Sequence, residues 1–159
     1  TDQIFQTMYV LNTSLQRERD ICGIPFKLLK IPASRMYGLD KIKIKNTEVI
    51  VTDKERTLID LVFFPDPVGG LKQAFKILQE QVISKKVNLQ KLIQYTQVFP
   101  VKSVQKRVGV ALDACLTDKS ILKPLEEKLK NTSLVTLYGS KSRKGTIDKK
   151  WKVIIDDAS

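Results

Sequence analysis

The sequence predicts an α+β fold with a mostly antiparallel sheet, and three observations lead there. Short alternating or apolar runs come first, segments with apolar residues at i, i+3 and i+4 fill the middle, and two short apolar runs close the chain. The length of 159 residues suits one domain. The 42% hydrophobic content is near the globular norm, so a core can form without disulfides or a metal. We read residues 1–159 as a single α+β domain.

At the N-terminus, Met8-Tyr9-Val10-Leu11 is a short strand candidate and residues 16–20 a polar connection. The run from Phe26 to Ile31 lies between Pro25 and Pro32 and reads as a strand, because a helix does not readily cross prolines. Lys41-Ile42-Lys43-Ile44-Lys45 alternates with period two, and Glu48-Val49-Ile50-Val51 completes a hairpin across Asn46-Thr47. Thr52-Asp53-Lys54-Glu55 fits a capping box, with the Thr52 hydroxyl accepting from the Glu55 amide and the Glu55 carboxylate reaching back.

A buried, central helix over about 53–63 follows, stopped by Pro65-Asp66-Pro67. Gly69-Gly70 opens a second over about 70–83, whose outward face carries Lys72, Lys76 and Gln79. Asn88 caps a third over about 89–98. Pro100 is placed to begin a fourth over about 101–116, with Val101, Val104, Val108, Ala111, Leu112 and Cys115 inward. Lys102, Lys106 and Asp113 fall on the opposite face, with Arg107 and Gly109 on its borders. Asp118 caps a fifth over about 119–129. Residues 134–138 and 151–155 read as closing strands around a polar loop, 139–150, that holds five basic residues and one acid.

Composition narrows the chemistry. There is no histidine, which excludes Ser-His-Asp and Cys-His nucleophilic sites and imidazole acid–base catalysis. Cys22 and Cys115 stand far apart with no CxxC pair, so both read as reduced core thiols, and no metal or cofactor is expected. No apolar window is long enough for a membrane span or resembles a signal peptide, which predicts a cytoplasmic chain without a membrane partner. The formal charge of +11 points to an anionic partner, nucleic acid first. Residues 101–150 concentrate it, with twelve Lys and Arg against five Asp and Glu. Because the chain begins at Thr1 without a methionine, we expect it to be a fragment of a longer protein.

Val51-Thr52-Asp53-Lys54-Glu55-Arg56-Thr57-Leu58-Ile59-Asp60-Leu61, followed by residues 65–70, resembles the AbiE-type (AbiEi) antitoxin family, transcriptional regulators of two-gene toxin–antitoxin systems. Tyr95, Lys106-Arg107-Val108-Gly109 and Trp151-Lys152-Val153-Ile154-Ile155 are similar to further segments of that family, with Val108 where a leucine is usual. The resemblance spans roughly residues 20–156 and implies a C-terminal domain whose winged helix-turn-helix head is missing here. It further implies a transcriptional autorepressor whose head binds operator DNA and whose second domain neutralises a nucleotidyltransferase-like toxin. Thr52, Glu55, Arg56, Asp60, Gly70, Arg107, Gly109 and Trp151 are the motif residues.

Each pointed reading has a plainer one beside it. Arg56 and Asp60, four apart on a buried helix, read as an internal ion pair before a catalytic carboxylate, since a buried charge persists when paired. Glu55 and Arg107 are alternative partners for them across the core. Gly69-Gly70 lacks the rest of a P-loop and reads as a turn. Arg107 and Trp151 read as core anchors. A Mg²⁺-dependent nuclease of the PD-(D/E)xK kind has only Pro65-Asp66 and Glu126-Glu127-Lys128 to use, the second on a predicted helix. Lys102, Lys106, Lys141, Arg143, Lys144, Lys149 and Lys150 are the nucleic-acid or partner-binding candidates, by phosphate contacts rather than base readout, although lysine-rich faces also serve solubility. The alternatives to a non-enzymatic antitoxin domain are that nuclease-like domain and a dimerisation module of a DNA-binding regulator.

Overall fold

Alternating and proline-flanked segments form the strands of the first third, and amphipathic segments form the helices that follow. The computed structural model describes residues 8–14, 17–21 and 24–156. Cys22 lies outside them, so its core placement is not addressed. The chain divides into two units, Thr1–Tyr37 and Gly38–Ser159.

The first unit holds strands β1 (Met8–Asn12), β2 (Arg17–Ile21) and β3 (Ile24–Lys30), in the order β1-β3-β2. β1 runs parallel to β3 and β2 antiparallel to it. The expected polar connection over 16–20 is therefore corrected: most of it is an edge strand. Glu18 sits opposite Lys27 and pairs with it at 3.7 Å, a cross-strand charge contact that suits a polar edge.

The second unit begins with the hairpin β4 (Leu39–Ile44) and β5 (Thr47–Thr52). Its turn is Lys45-Asn46, not Asn46-Thr47. Both residues have positive φ, 46° and 67°, as a two-residue turn that matches strand twist requires. The alternation does not seal an apolar face, because Ile42 and Ile50 remain exposed.

Helices α1 (Lys54–Phe63), α2 (Leu71–Ile83), α3 (Leu89–Val98), α4 (Lys102–Cys115) and α5 (Lys123–Leu129) follow, with 3-10 turns at Asp66–Val68 and Ser120–Leu122. α1 packs on α2, α3 and α4, and α4 touches all four other helices. Ile59, Leu78, Leu92, Leu112 and Leu125, one from each helix, are fully buried. The capping box is corrected by one residue: Asp53 Oδ1 accepts from the Arg56 amide at 2.8 Å. Glu55 instead accepts from the Asn88 amide at 2.7 Å, joining the starts of α1 and α3. Asn88 caps α3 as expected, accepting from the Lys91 amide. α4 starts after Pro100, not at it. The buried Gln105 amide donates to the Phe99 and Gln97 carbonyls, which holds the preceding chain extended and delays the helix.

The closing sheet has the order β6-β8-β7, from β6 (Val135–Thr136), β7 (Thr146–Asp148) and β8 (Val153–Ile155). β7 corrects the reading of 139–150 as loop throughout. Gly145 explains it: a Cβ there would lie 2.0 Å from the Ile155 carbonyl oxygen, so only glycine lets the chain come this close to β8. β6 is parallel to β8 and β7 antiparallel. The described strands form three small sheets rather than one mostly antiparallel sheet, and the α+β class holds.

Candidate partner-binding face

The motif residues lie inside the second unit, and most are engaged in hydrogen bonds or packing there. Arg56 is 1% exposed and its Nε donates to Asp60 Oδ1 at 2.9 Å, with its guanidinium 5.5 Å from the Phe99 ring centre. This is the expected internal ion pair. Asp53, beside it, accepts from the Tyr95 hydroxyl at 2.9 Å and pairs with Lys91 at 2.8 Å. Burial raises the Asp53 pKa, but the bonds from Lys91, the Arg56 amide and Tyr95 outweigh it and leave the group below its ordinary value. Lys91 is raised by the same contact with Asp53.

On α4, Gly109 lies under the Trp151 ring, and the indole Nε1 donates to Asp113 Oδ2 at 2.8 Å. Lys119 and Lys150 also reach Asp113, each at 2.9 Å. Burial alone would raise Asp113, and the Lys119, Trp151 and Lys150 contacts bring it down to about 2. Arg107 donates through Nε and Nη2 to the Thr136 carbonyl, tying α4 to β6. Arg107 and Trp151 are thus core anchors, and neither Glu55 nor Arg107 takes part in the Arg56–Asp60 pair. Gly69 and Gly70 have φ of +91° and +116° and make the turn into α2.

The basic candidates separate. Lys102, Lys141, Lys144 and Lys149 are exposed and have no ion pair among the described residues. Arg143 is exposed and donates to the Leu134 carbonyl at 3.0 Å. Lys150 is drawn inward to Asp113 and Glu126. Lys106 corrects its expected place on an outward face: it is 0% exposed, and its Nζ donates to the Ser133 carbonyl. Burial, with Lys102 and Lys152 adding repulsion, lowers its pKa. Cys115 is a half-buried free thiol at the end of α4 rather than a core residue. No group of three or more His, Cys, Asp or Glu among the described residues is arranged to hold a metal ion.

One concavity in this unit has little trace in the sequence. A groove of about 760 Å³ runs between α2 and α4 and is closed at one side by residues 137–138 and Ile155. Phe75, Val110, Ala111 and Ala114 give it an apolar floor, with Lys72 and Lys76 among the residues that line it. Phe75 and Tyr138 pack with ring centres 6.0 Å apart, and Gln79 Nε2 donates to the Ala111 carbonyl at 2.9 Å. Buried Asp156 accepts from the Tyr138 and Ser140 amides, both at 2.8 Å, and so fixes the Tyr138 side of the groove. The only sequence signal for it is the lysine-bearing outward face of α2, which reads as a solvated surface.

Comparison of the chain with protein-family models, with curated proteins and with solved structures finds no match in any of the three.

Proposed function

We propose that this chain is the C-terminal effector domain of an AbiE-type antitoxin and transcriptional autorepressor that acts in the cytoplasm by binding rather than by catalysis. One observation carries the reading: motif residues far apart in sequence are stitched into one helical unit. Tyr95 bonds Asp53 at the start of α1, and Gly109 receives Trp151. With these groups engaged in packing, exposed Lys102, Lys141, Lys144 and Lys149 are among the cations that can meet an anionic partner.

In this reading operator DNA is bound mainly by a winged helix-turn-helix that precedes these residues, with backbone contacts from the basic loop assisting. The cognate nucleotidyltransferase-like toxin is countered directly or through its target. The test is growth rescue. A nucleotidyltransferase-like protein encoded beside this chain is induced with and without the chain and its preceding domain. Recovery of colony formation supports the proposal, and unchanged growth arrest rejects it.

A further inference from the structure

The groove between α2 and α4 combines features that a merely solvated helix face does not need. Its floor is apolar, from Phe75, Val110, Ala111, Ala114, Leu137 and Ile155. From α4 the groove is lined by half-buried Val110, buried Ala111 and exposed Ala114, all small apolar side chains, so a third helix can approach Ala114 closely. Lys72 and Lys76 are four apart on α2, one helical turn, and both are exposed. The lining residues include these two lysines and no acid, and Glu80 touches Lys76 only at the 4.0 Å limit of an exposed pair.

We propose that this groove docks an amphipathic helix from a partner protein, with apolar residues toward the Phe75–Ala114 floor and carboxylates one turn apart facing Lys72 and Lys76. The inference stands apart from the antitoxin reading, because it needs neither a toxin nor an operator. Charge selects the occupant. A second copy of this chain, at +11, is repelled by the same lysines that attract an acidic helix. Duplex DNA would find the two cations but would leave the apolar floor without a partner, since its outer surface is a phosphate backbone. Recognition by apolar anchors at i, i+3 and i+4 with charges on the flank is the established way a helix fills such a groove.

The probe is a displayed library of random helical peptides of about 14 residues, roughly four turns, selected on the whole chain and then followed by fluorescence anisotropy with the enriched sequence. The expected sequences carry apolar residues at i and i+4 beside Asp or Glu spaced by one turn. Their affinity should fall about tenfold or more in Ala114→Arg, which fills the groove from an exposed position, and similarly in the Lys72→Glu/Lys76→Glu variant. A peptide with Lys in place of its acids should recover binding to that charge-reversed variant. Amide shifts on the unsubstituted chain give a second measurement that needs no variant to fold, and they should centre on Lys76, Val110, Ala114 and Tyr138. Enrichment of basic or patternless sequences overturns the proposal. So do affinity unchanged in Ala114→Arg, shifts confined to residues 141–150, and displacement of the peptide by duplex DNA at equal concentration.

Discussion

Gly109 on α4 is the seat of the Trp151 ring: a Cβ at this glycine would lie 2.4 Å from both Cε3 and Cζ3 of the indole. The ring is 0% exposed and its Nε1 is held by Asp113, one turn further along the same helix, so moving it would disturb both its packing and this hydrogen bond. Glycine in the middle of a helix is otherwise unfavourable by about 1 kcal/mol relative to alanine. Its presence here is explained by the close approach and by nothing in the helix itself.

Gly109→Ala should therefore destabilise the chain although it improves helix propensity. Overpacking a well-filled core costs roughly 1–3 kcal/mol, and an approach this short lies at the upper end. The expected net loss is about 2 kcal/mol after the propensity gain. Urea denaturation followed by Trp151 fluorescence measures it, and a midpoint equal to or above that of the parent would show that the ring can move aside.

α1 to α4 can be read from the sequence to within a residue, whereas α5 starts at Lys123 instead of about 119, because Asp118 accepts from the Ser120 amide and opens a 3-10 turn rather than capping the helix. Apolar stripes place α2 and α3 to within a residue because i, i+3, i+4 spacing is a local property. The start of α4 differs from the local expectation because Gln105, reaching back to Phe99 and Gln97, overrides the preference of Pro100. β7 escapes a sequence reading because its signal is the approach of Gly145 to Ile155, across ten positions of the chain. Lys106 reads as outward on the assumption that a helix buries one face, but α4 has neighbours on most of its sides. The groove is invisible for the same reason: nothing in the α2 sequence states that Val110, Ala114 and Tyr138 lie beside it.

Asp113 should make the stability of this unit sensitive to acid. Its pKa is depressed from 3.8 to about 2, so its contribution is present above the unfolded value and is lost as pH falls through the folded one. The depression corresponds to about 2 kcal/mol. Asp113→Asn should be less stable than the parent by about that amount near pH 7, and the gap should narrow toward pH 2. Urea midpoints of both proteins across this range decide it, and a gap that stays constant with pH would assign the loss to packing instead.

Lys141, Lys144 and Lys149 are exposed and without ion pairs among the described residues, whereas Lys150 is held by Asp113 and Glu126. If the basic loop assists DNA binding, replacing the first three by glutamate should weaken duplex binding and flatten its salt dependence, by about 0.9 in slope for each phosphate that is no longer neutralised. Lys106→Met should leave that slope unchanged because the amine is buried. Titrations at about 50 and 200 mM salt give the slope. Equal slopes for the triple variant and the parent would remove the loop from DNA binding.

Lys106 is a buried cation whose side chain donates to the carbonyl of exposed Ser133, and burial and the repulsion of Lys102 and Lys152 hold its pKa below 10.5. A lysine lowered on folding binds fewer protons in the native state than in the unfolded chain, so it disfavours folding below its folded pKa. That penalty disappears as pH rises toward the unfolded value. Lys106→Met keeps the long apolar stem and removes the charge, and the Ser133 carbonyl it abandons can turn to water. The variant should be more stable than the parent at neutral pH, and its advantage should shrink as the solution is made alkaline. Thermal midpoints at neutral pH and near pH 10.5 test both halves of the expectation. A less stable variant at neutral pH would mean that the hydrogen bond to Ser133 outweighs the cost of burying the ammonium.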